Sequence, residues 1–168
     1  MITIVQLPPD CWEQYKAIRL ESLQTDPVAF GGSYEEEVNF SESTWRERIN
    51  TMWFAMLEHE PVGMIGLLRG TMQSTSHKGL VVSFWVKPSM RGKGLGRKLL
   101  LHLQVIAPEQ RCRKMVLEVT TSQQAAIATY NALGFRRVGV LHQELYIHGQ
   151  YVDQFVMEWL APLSTHSN

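Results

Sequence analysis

The chain has 168 residues but only two cysteines, no long apolar run and no excess of charge of either sign. Cys11 and Cys112 stand far apart and form no metal or redox spacing, which points to buried or inert thiols in a reducing cytoplasm. No apolar stretch approaches the ~20 residues that a membrane-spanning helix requires. The opening Met1-Ile2-Thr3-Ile4-Val5 lacks the charged flank and small-residue cleavage site of a secretory leader. A cytoplasmic location without a membrane partner is therefore expected. Lys and Arg number 16, and so do Asp and Glu, so bulk electrostatics offer no attraction to a nucleic acid. The six histidines contain no His-x-x-x-His pair, and no metal is expected.

What is present describes an ordinary globule, 45% hydrophobic and 19% charged. This length suits one domain able to bury around two-thirds of its unfolded surface. The domain is expected to span residues 1–161, with 162–168 a disordered tail.

The most informative stretch is Arg91-Gly92-Lys93-Gly94-Leu95-Gly96-Arg97, which joins an apolar run at 80–86 to an amphipathic run at 95–107. Strand, glycine-rich turn and helix together present backbone N–H groups to a phosphate. Glycines let the backbone approach a ligand without an intervening Cβ. Arg91, Lys93, Arg97 and Lys98 crowd a helix start where the macrodipole is already positive, an arrangement that an anion would stabilise. Spacing excludes two familiar phosphate binders. The third glycine of Gly-x-Gly-x-x-Gly falls on Arg97 or Leu99, and Lys93 is followed by Gly94 instead of Ser or Thr.

The remaining elements follow from periodicity and punctuation. A short edge strand covers 2–5. A first helix begins with an Asp10/Glu13 capping box, carries Trp12, Tyr15, Ile18 and Leu23, and stops at Asp26-Pro27. A second helix starts near Ser41. Strands at 53–57 and 62–68 form a hairpin with a four-residue connection, and Gly63 and Gly66 point to a bulge or close packing. The helix from Leu95 ends at Pro108, and a central strand covers 115–119. A helix capped by Ser122 stops at Gly134-Phe135, and a hairpin at 138–145 and 151–159 turns at His148-Gly149.

Three segments carry a family resemblance. The loop fits Arg/Gln-x-x-Gly-x-Gly/Ala. Val86-Lys87-Pro88 precedes it, and Ala128-Thr129-Tyr130-Asn131-Ala132-Leu133-Gly134-Phe135 follows about thirty residues later. Together they resemble the GNAT superfamily of N-acetyltransferases over residues 80–140, and the rest of the chain in outline. The resemblance implies an α/β mixed sheet with helices on both faces and splayed fourth and fifth strands, the acyl-CoA N-acyltransferase fold. It implies acetyl-CoA as co-substrate without a metal, its pyrophosphate held by Arg91, Gly92, Lys93, Gly94, Leu95, Gly96 and Arg97. Backbone N–H groups near Val86 would polarise the acetyl carbonyl, with Phe84 and Trp85 lining the pantetheine slot or serving as plain core. Gln123 stands where many relatives have an Asn that touches the cofactor. Tyr130 matches the general acid that protonates the departing thiolate.

The general base stays open between Glu118, the run Glu35-Glu36-Glu37 in the connection between the first helices, and a water relay. The acidic run would suit a cationic acceptor or be a solvated turn. Gly149-x-Tyr151-x-Asp153 resembles a feature near the C-terminus of related enzymes and is read as sheet packing. The implied activity is transfer of an acetyl group from acetyl-CoA to a primary amine of a small molecule, by a monomer or homodimer. The alternatives are a protein N-terminal or lysine acetyltransferase and a non-catalytic acyl-CoA-binding sensor.

Overall fold

A computed structural model describes residues 1–163, so the expected disordered tail lies, from residue 164 on, outside the described residues. Seven strands form one mixed sheet: β1 (Ile2–Val5), β2 (Met52–Leu57), β3 (Glu60–Arg69), β4 (Lys78–Val86), β5 (Lys114–Thr120), β6 (Arg136–Ile147) and β7 (Gln150–Leu160). Their spatial order is β1-β2-β3-β4-β5-β7-β6. The helices are α1 (Trp12–Thr25), α2 (Tyr34–Glu37), α3 (Glu42–Arg48), α4 (Leu95–Glu109) and α5 (Gln124–Ala132).

Two apolar layers sandwich the sheet. On one face Leu95, Leu99, Leu100 and Leu103 of α4 and Tyr130 of α5 pack on Ile65, Val81, Met115 and Leu117. On the other, Tyr15, Ile18 and Leu23 of α1 and Trp45 of α3 pack on Phe54, Met64 and Trp85. Tyr15 meets Trp45 and Phe54 edge-on at 5.3 and 5.6 Å, a favoured aromatic geometry.

β4 and β5, a parallel pair, match only at Lys78↔Lys114, Gly79↔Met115 and Leu80↔Val116. Beyond these they separate, as the family resemblance implied. Ser83, at φ +53, marks the cause: Met64 pairs Trp85 while Gly66 pairs Val82, so Ser83 and Phe84 together oppose Ile65. Such a bulge bends its strand and shifts side-chain parity by one. Val81 accordingly faces the α4 layer, whereas Trp85 faces the α1 layer.

Several local expectations need correction. The β2–β3 connection is the two-residue turn Glu58-His59, not four residues, because Glu60 and Pro61 already pair with β2. Asp10 makes no capping box; Cys11 holds the N-cap position, and Asp10 pairs instead with Arg46 at 2.5 Å. The N-cap of α5 is Gln123, not Ser122. Pro108 lies inside the last turn of α4, which runs on to Glu109. At the end of α5, Gly134 (φ +85) donates its N–H to Asn131 O and Phe135 to Tyr130 O, both at 3.1 Å, a Schellman closure. His148 (φ +50) and Gly149 (φ +79) make the primed turn expected of a two-residue hairpin. Asp153 accepts from the Gln143 N–H at 2.8 Å where β6 bulges, so it has a structural task.

Gly66 is required by packing. A Cβ there would sit 2.6 Å from Met52 Sδ and 2.9 Å from Val82 Cγ2, whereas at Gly139 nothing lies within 4 Å. Urea unfolding should find Gly66→Ala destabilised by about 1–3 kcal/mol and Gly139→Ala within about 0.5 kcal/mol of the parent. Equal midpoints for the two variants would contradict that packing.

Candidate active site

Where β4 and β5 part, a cleft opens through the sheet in two connected cavities of about 550 and 430 Å³. Ala29, Phe84, Glu118 and Tyr130 line both, and so mark their junction.

The smaller cavity is walled by Trp85, Val86, the 91–97 loop (except Lys93), Gln123 and the first turn of α5. Gly92 (φ +74) and Gly94 (φ +75) adopt left-handed conformations that favour glycine, and a Cβ at either would meet nothing within 4 Å. Gly96 differs: a Cβ there would come within 3.0 Å of Phe84 Cζ, so its absence lets α4 approach β4. Arg91 N–H bonds Pro88 O and Lys98 N–H bonds Gly94 O. Between them no backbone N–H finds an acceptor among the described residues, which leaves a row of donors at the positive end of a helix of 15 residues.

The loop's cations are not equivalent. Arg91 Nε donates to Val86 O at 3.0 Å and its Nη2 to Asp26, which also accepts from Trp85 Nε1 at 2.7 Å. Arg91 therefore fixes the loop against β4. Lys93 Nζ donates to Ser89 O at 3.0 Å, while Arg97 is exposed and unpaired among the described residues. Trp85 itself is buried in the α1 layer. Lys87 N–H bonds Val62 O, so antiparallel alternation turns the Val86 N–H away from β3 and into the gap.

Tyr130 stands at the junction, 6% exposed, between Phe84 and Phe135 with ring centroids at 5.6 and 5.8 Å. Burial pushes its phenol well above the ordinary value of 10, so it keeps its proton at neutral pH. Glu118 is exposed and also lines the junction.

The larger cavity holds the correction that matters most. Glu35, Glu36 and Glu37 do not form an acidic wall: Ser33 caps them into the short helix α2. Glu35 and Glu36 are exposed and outside the cavity lining. Glu37 turns inward, 3% exposed, and accepts from Arg19 at 2.9 and 2.7 Å and from Arg48 at 3.2 Å. Burial alone would raise its carboxyl, but hydrogen bonds and charge from Arg19, then Arg48, hold it below its ordinary range. Gly32 closes over the pair, since a Cβ there would lie 2.2 Å from Glu37 Oε1. Arg19 and Arg48 were not singled out in the sequence. Arg19 was traceable, because it shares the buried stripe of Tyr15, Ile18, Ser22 and Leu23 on α1.

Comparison with known proteins adds context to this geometry. Residues 12–135 match the model of the Acetyltransferase (GNAT) family. Over 72 residues, 43% of this chain and 42% of the relative, the sequence is 39% identical to the N-alpha-acetyltransferase RimI of Mycobacterium tuberculosis. The chain spans about half the length of the curated relatives it matches, with 42%, 45% and 58% covered. Its fold is similar to that of the GNAT-family acetyltransferase from Streptococcus pneumoniae, with a TM-score of 0.85 and 20% identity over 96% of this chain and 100% of that one. A phosphinothricin acetyltransferase from Sinorhizobium meliloti, solved with acetyl-CoA, gives 0.82 and 21% over 99% and 92%. At such identities the structural likeness is one of fold.

The buried cluster generates a stability prediction. A carboxyl whose folded pKa is depressed stabilises the fold above its unfolded value, about 4.5 here, and loses that contribution as pH falls through the folded value. Removing one partner of a buried pair typically costs about 3–5 kcal/mol. Glu37→Gln should therefore be less stable than the parent by about that amount at pH 7, with the gap narrowing below pH ~4. A gap independent of pH would show that the charge on Glu37 is not what stabilises the cluster.

Proposed function

The chain belongs to the acetyltransferase (GNAT) family, and on that premise we propose that it transfers an acetyl group from acetyl-CoA directly to the primary amine of a small molecule. The observation that carries the reading is the junction of the two cavities, where a protonated phenol and a carboxylate border both. The smaller cavity fits acetyl-CoA by its own chemistry. Free N–H donors and Arg97 suit a pyrophosphate, and the open sides of Gly92 and Gly94 leave room for it. Bound there, acetyl-CoA supplies an acetyl group already activated as a thioester.

The chain's residues then divide the remaining work. The Val86 N–H aims into the gap and can stabilise negative charge on the acetyl oxygen. Glu118 is the side chain available to take the amine's proton, directly or through water. Tyr130 holds a proton that it can give to the sulfur as the amine displaces it, so one proton leaves the acceptor while another reaches the thiol. Gln123 lines the smaller cavity at the start of α5, within reach of the cofactor's body.

A small acceptor is favoured because the larger cavity, about 550 Å³, has the volume of a small-molecule pocket. The likeness to an N-alpha-acetyltransferase supports a second reading, a protein N-terminal amine as acceptor. Release of CoA thiol with a library of small amines and N-terminal peptides separates the two.

Tyr130→Phe keeps the ring and removes only the proton. General acid catalysis typically contributes ~10²–10⁴-fold, so kcat should fall at least tenfold while the thermal shift given by acetyl-CoA stays unchanged. Single-turnover measurement isolates the chemical step, and an unaltered step there would remove Tyr130 from the general-acid role.

A further inference from the structure

The larger cavity contains a charge arrangement that acetyl transfer alone does not require. Arg19, from α1, is 4% exposed and forms a two-pronged pair with Glu37. Its third nitrogen, Nη1, is buried without a hydrogen-bond partner among the described residues. Arg48, from the end of α3, gives Glu37 only one nitrogen, Nη1 at 3.2 Å, and otherwise lies beside the Tyr15 hydroxyl and over the Phe40 and Trp45 rings. The cluster therefore holds two guanidinium groups against one carboxylate, all three lining the same cavity.

A buried unmatched donor such as Arg19 Nη1 destabilises a fold unless something offsets it, and the cluster's excess positive charge sits on Arg48, whose side chain is 31% exposed and so open to a ligand. The other charged groups facing the cavity do not supply the balance. Glu47 is exposed, and Glu118 belongs to the junction with the smaller cavity. Neither forms an ion pair with Arg19 or Arg48. A guanidinium fork matches a carboxylate in shape and charge better than an ammonium does. Tyr15, Phe30 and Met52 supply apolar wall around the cluster, where charge is screened less than in water.

We propose that the acceptor carries a carboxylate as well as its amine, and that Arg48, with the Arg19 charge behind it, binds that carboxylate in the larger cavity. Resting on the acetyl-transfer reading above, this makes the acceptor a small amino acid, its amine directed to Glu118 and Tyr130. Its anionic end lies among the residues that line the larger cavity alone. Arg48 acts by binding, and Arg19 positions it through their shared partner Glu37.

The test compares amino acids with the same molecules lacking the carboxylate: L-phenylalanine with phenethylamine, L-leucine with isoamylamine, and L-methionine with 3-(methylthio)propylamine. Binding is read by calorimetry and thermal shift, and turnover by thiol release. For at least one pair, the amino acid should bind and show KM at least tenfold below that of its amine. Arg48→Gln should raise that KM towards the amine's with kcat changed far less, and Arg48→Lys should restore part of the preference. The acetyl-CoA thermal shift, unchanged in both variants, reports that they fold.

Equal affinity for both members of every pair in the parent protein would overturn the carboxylate subsite, and so would a preference that survives Arg48→Gln. Turnover of the plain amines without a carboxylate preference leaves acetyl transfer standing while this inference falls. Amino-acid binding lost in Arg48→Gln, with no thiol released from any acceptor, sustains the subsite and sinks the acetyl-transfer reading.

Discussion

The separation of β4 from β5 is the constraint on which the rest of the molecule depends. Two parallel strands that begin in register at Lys78 and Lys114 would ordinarily continue to exchange hydrogen bonds. The bulge at Ser83 prevents this by placing two residues of β4 opposite one of β3, bending β4 away from β5. β5 remains anchored by its full ladder to β7, from Lys114↔Leu160 to Thr120↔Gln154. The gap therefore has one rigid wall and one bent wall. Backbone donors that a closed sheet would satisfy, the Val86 N–H among them, are left for a ligand.

Everything placed at the gap is braced from behind. Arg91 ties the glycine loop to Val86 O and Asp26, and Asp26 in turn holds Trp85. The Schellman closure of α5 folds Phe135 back beside Tyr130, and Gln104 of α4 reaches Leu133 O at 2.7 Å to join the two helices. Thr120 donates to Val28 O at 2.8 Å, which attaches the end of β5 to the segment before α2. Tyr130 is thus fixed by packing, and its burial serves two ends at once. It orients the ring, and it keeps the phenol protonated. On the far side, Glu37 is held between Arg19 and Arg48, so the one deeply buried carboxylate of the larger cavity is already paired.

Much of this was legible in the sequence where local chemistry dictates local structure. The glycine loop needed no partner to be read, because Gly92 and Gly94 occupy conformations that other residues adopt at a penalty, and the cations beside them crowd a helix start. Gly134-Phe135 marked the end of α5 for the same reason. Gly63 and Gly66 hinted at close packing, and Gly63 and Gly66 do lie under Leu99 and Met52. The splaying of β4 and β5 came only through family resemblance, since pairing between distant strands leaves no mark on periodicity. Ser83 was visible merely as a polar interruption. The acidic run stayed open between an acceptor wall and a solvated turn because three adjacent carboxylates look alike in sequence. Helix geometry sends Glu35 and Glu36 outward and Glu37 inward to partners 18 and 11 residues away. Asp10 was misread, its capping role displaced by a distant arginine.

The central claim is that the gap and its glycine loop bind acetyl-CoA through backbone donors. Thermal unfolding of the parent and of Gly94→Val, each with and without acetyl-CoA, tests it most directly. A ligand that binds only the folded state stabilises it by mass action, about 2.7 kcal/mol at a hundredfold excess over Kd. Valine at φ +75 adds branched bulk on the open side of the loop, where the phosphate would lie. The account requires a clear upward shift of Tm in the parent and its loss in a Gly94→Val protein that still unfolds cooperatively. An undiminished shift in Gly94→Val would contradict it.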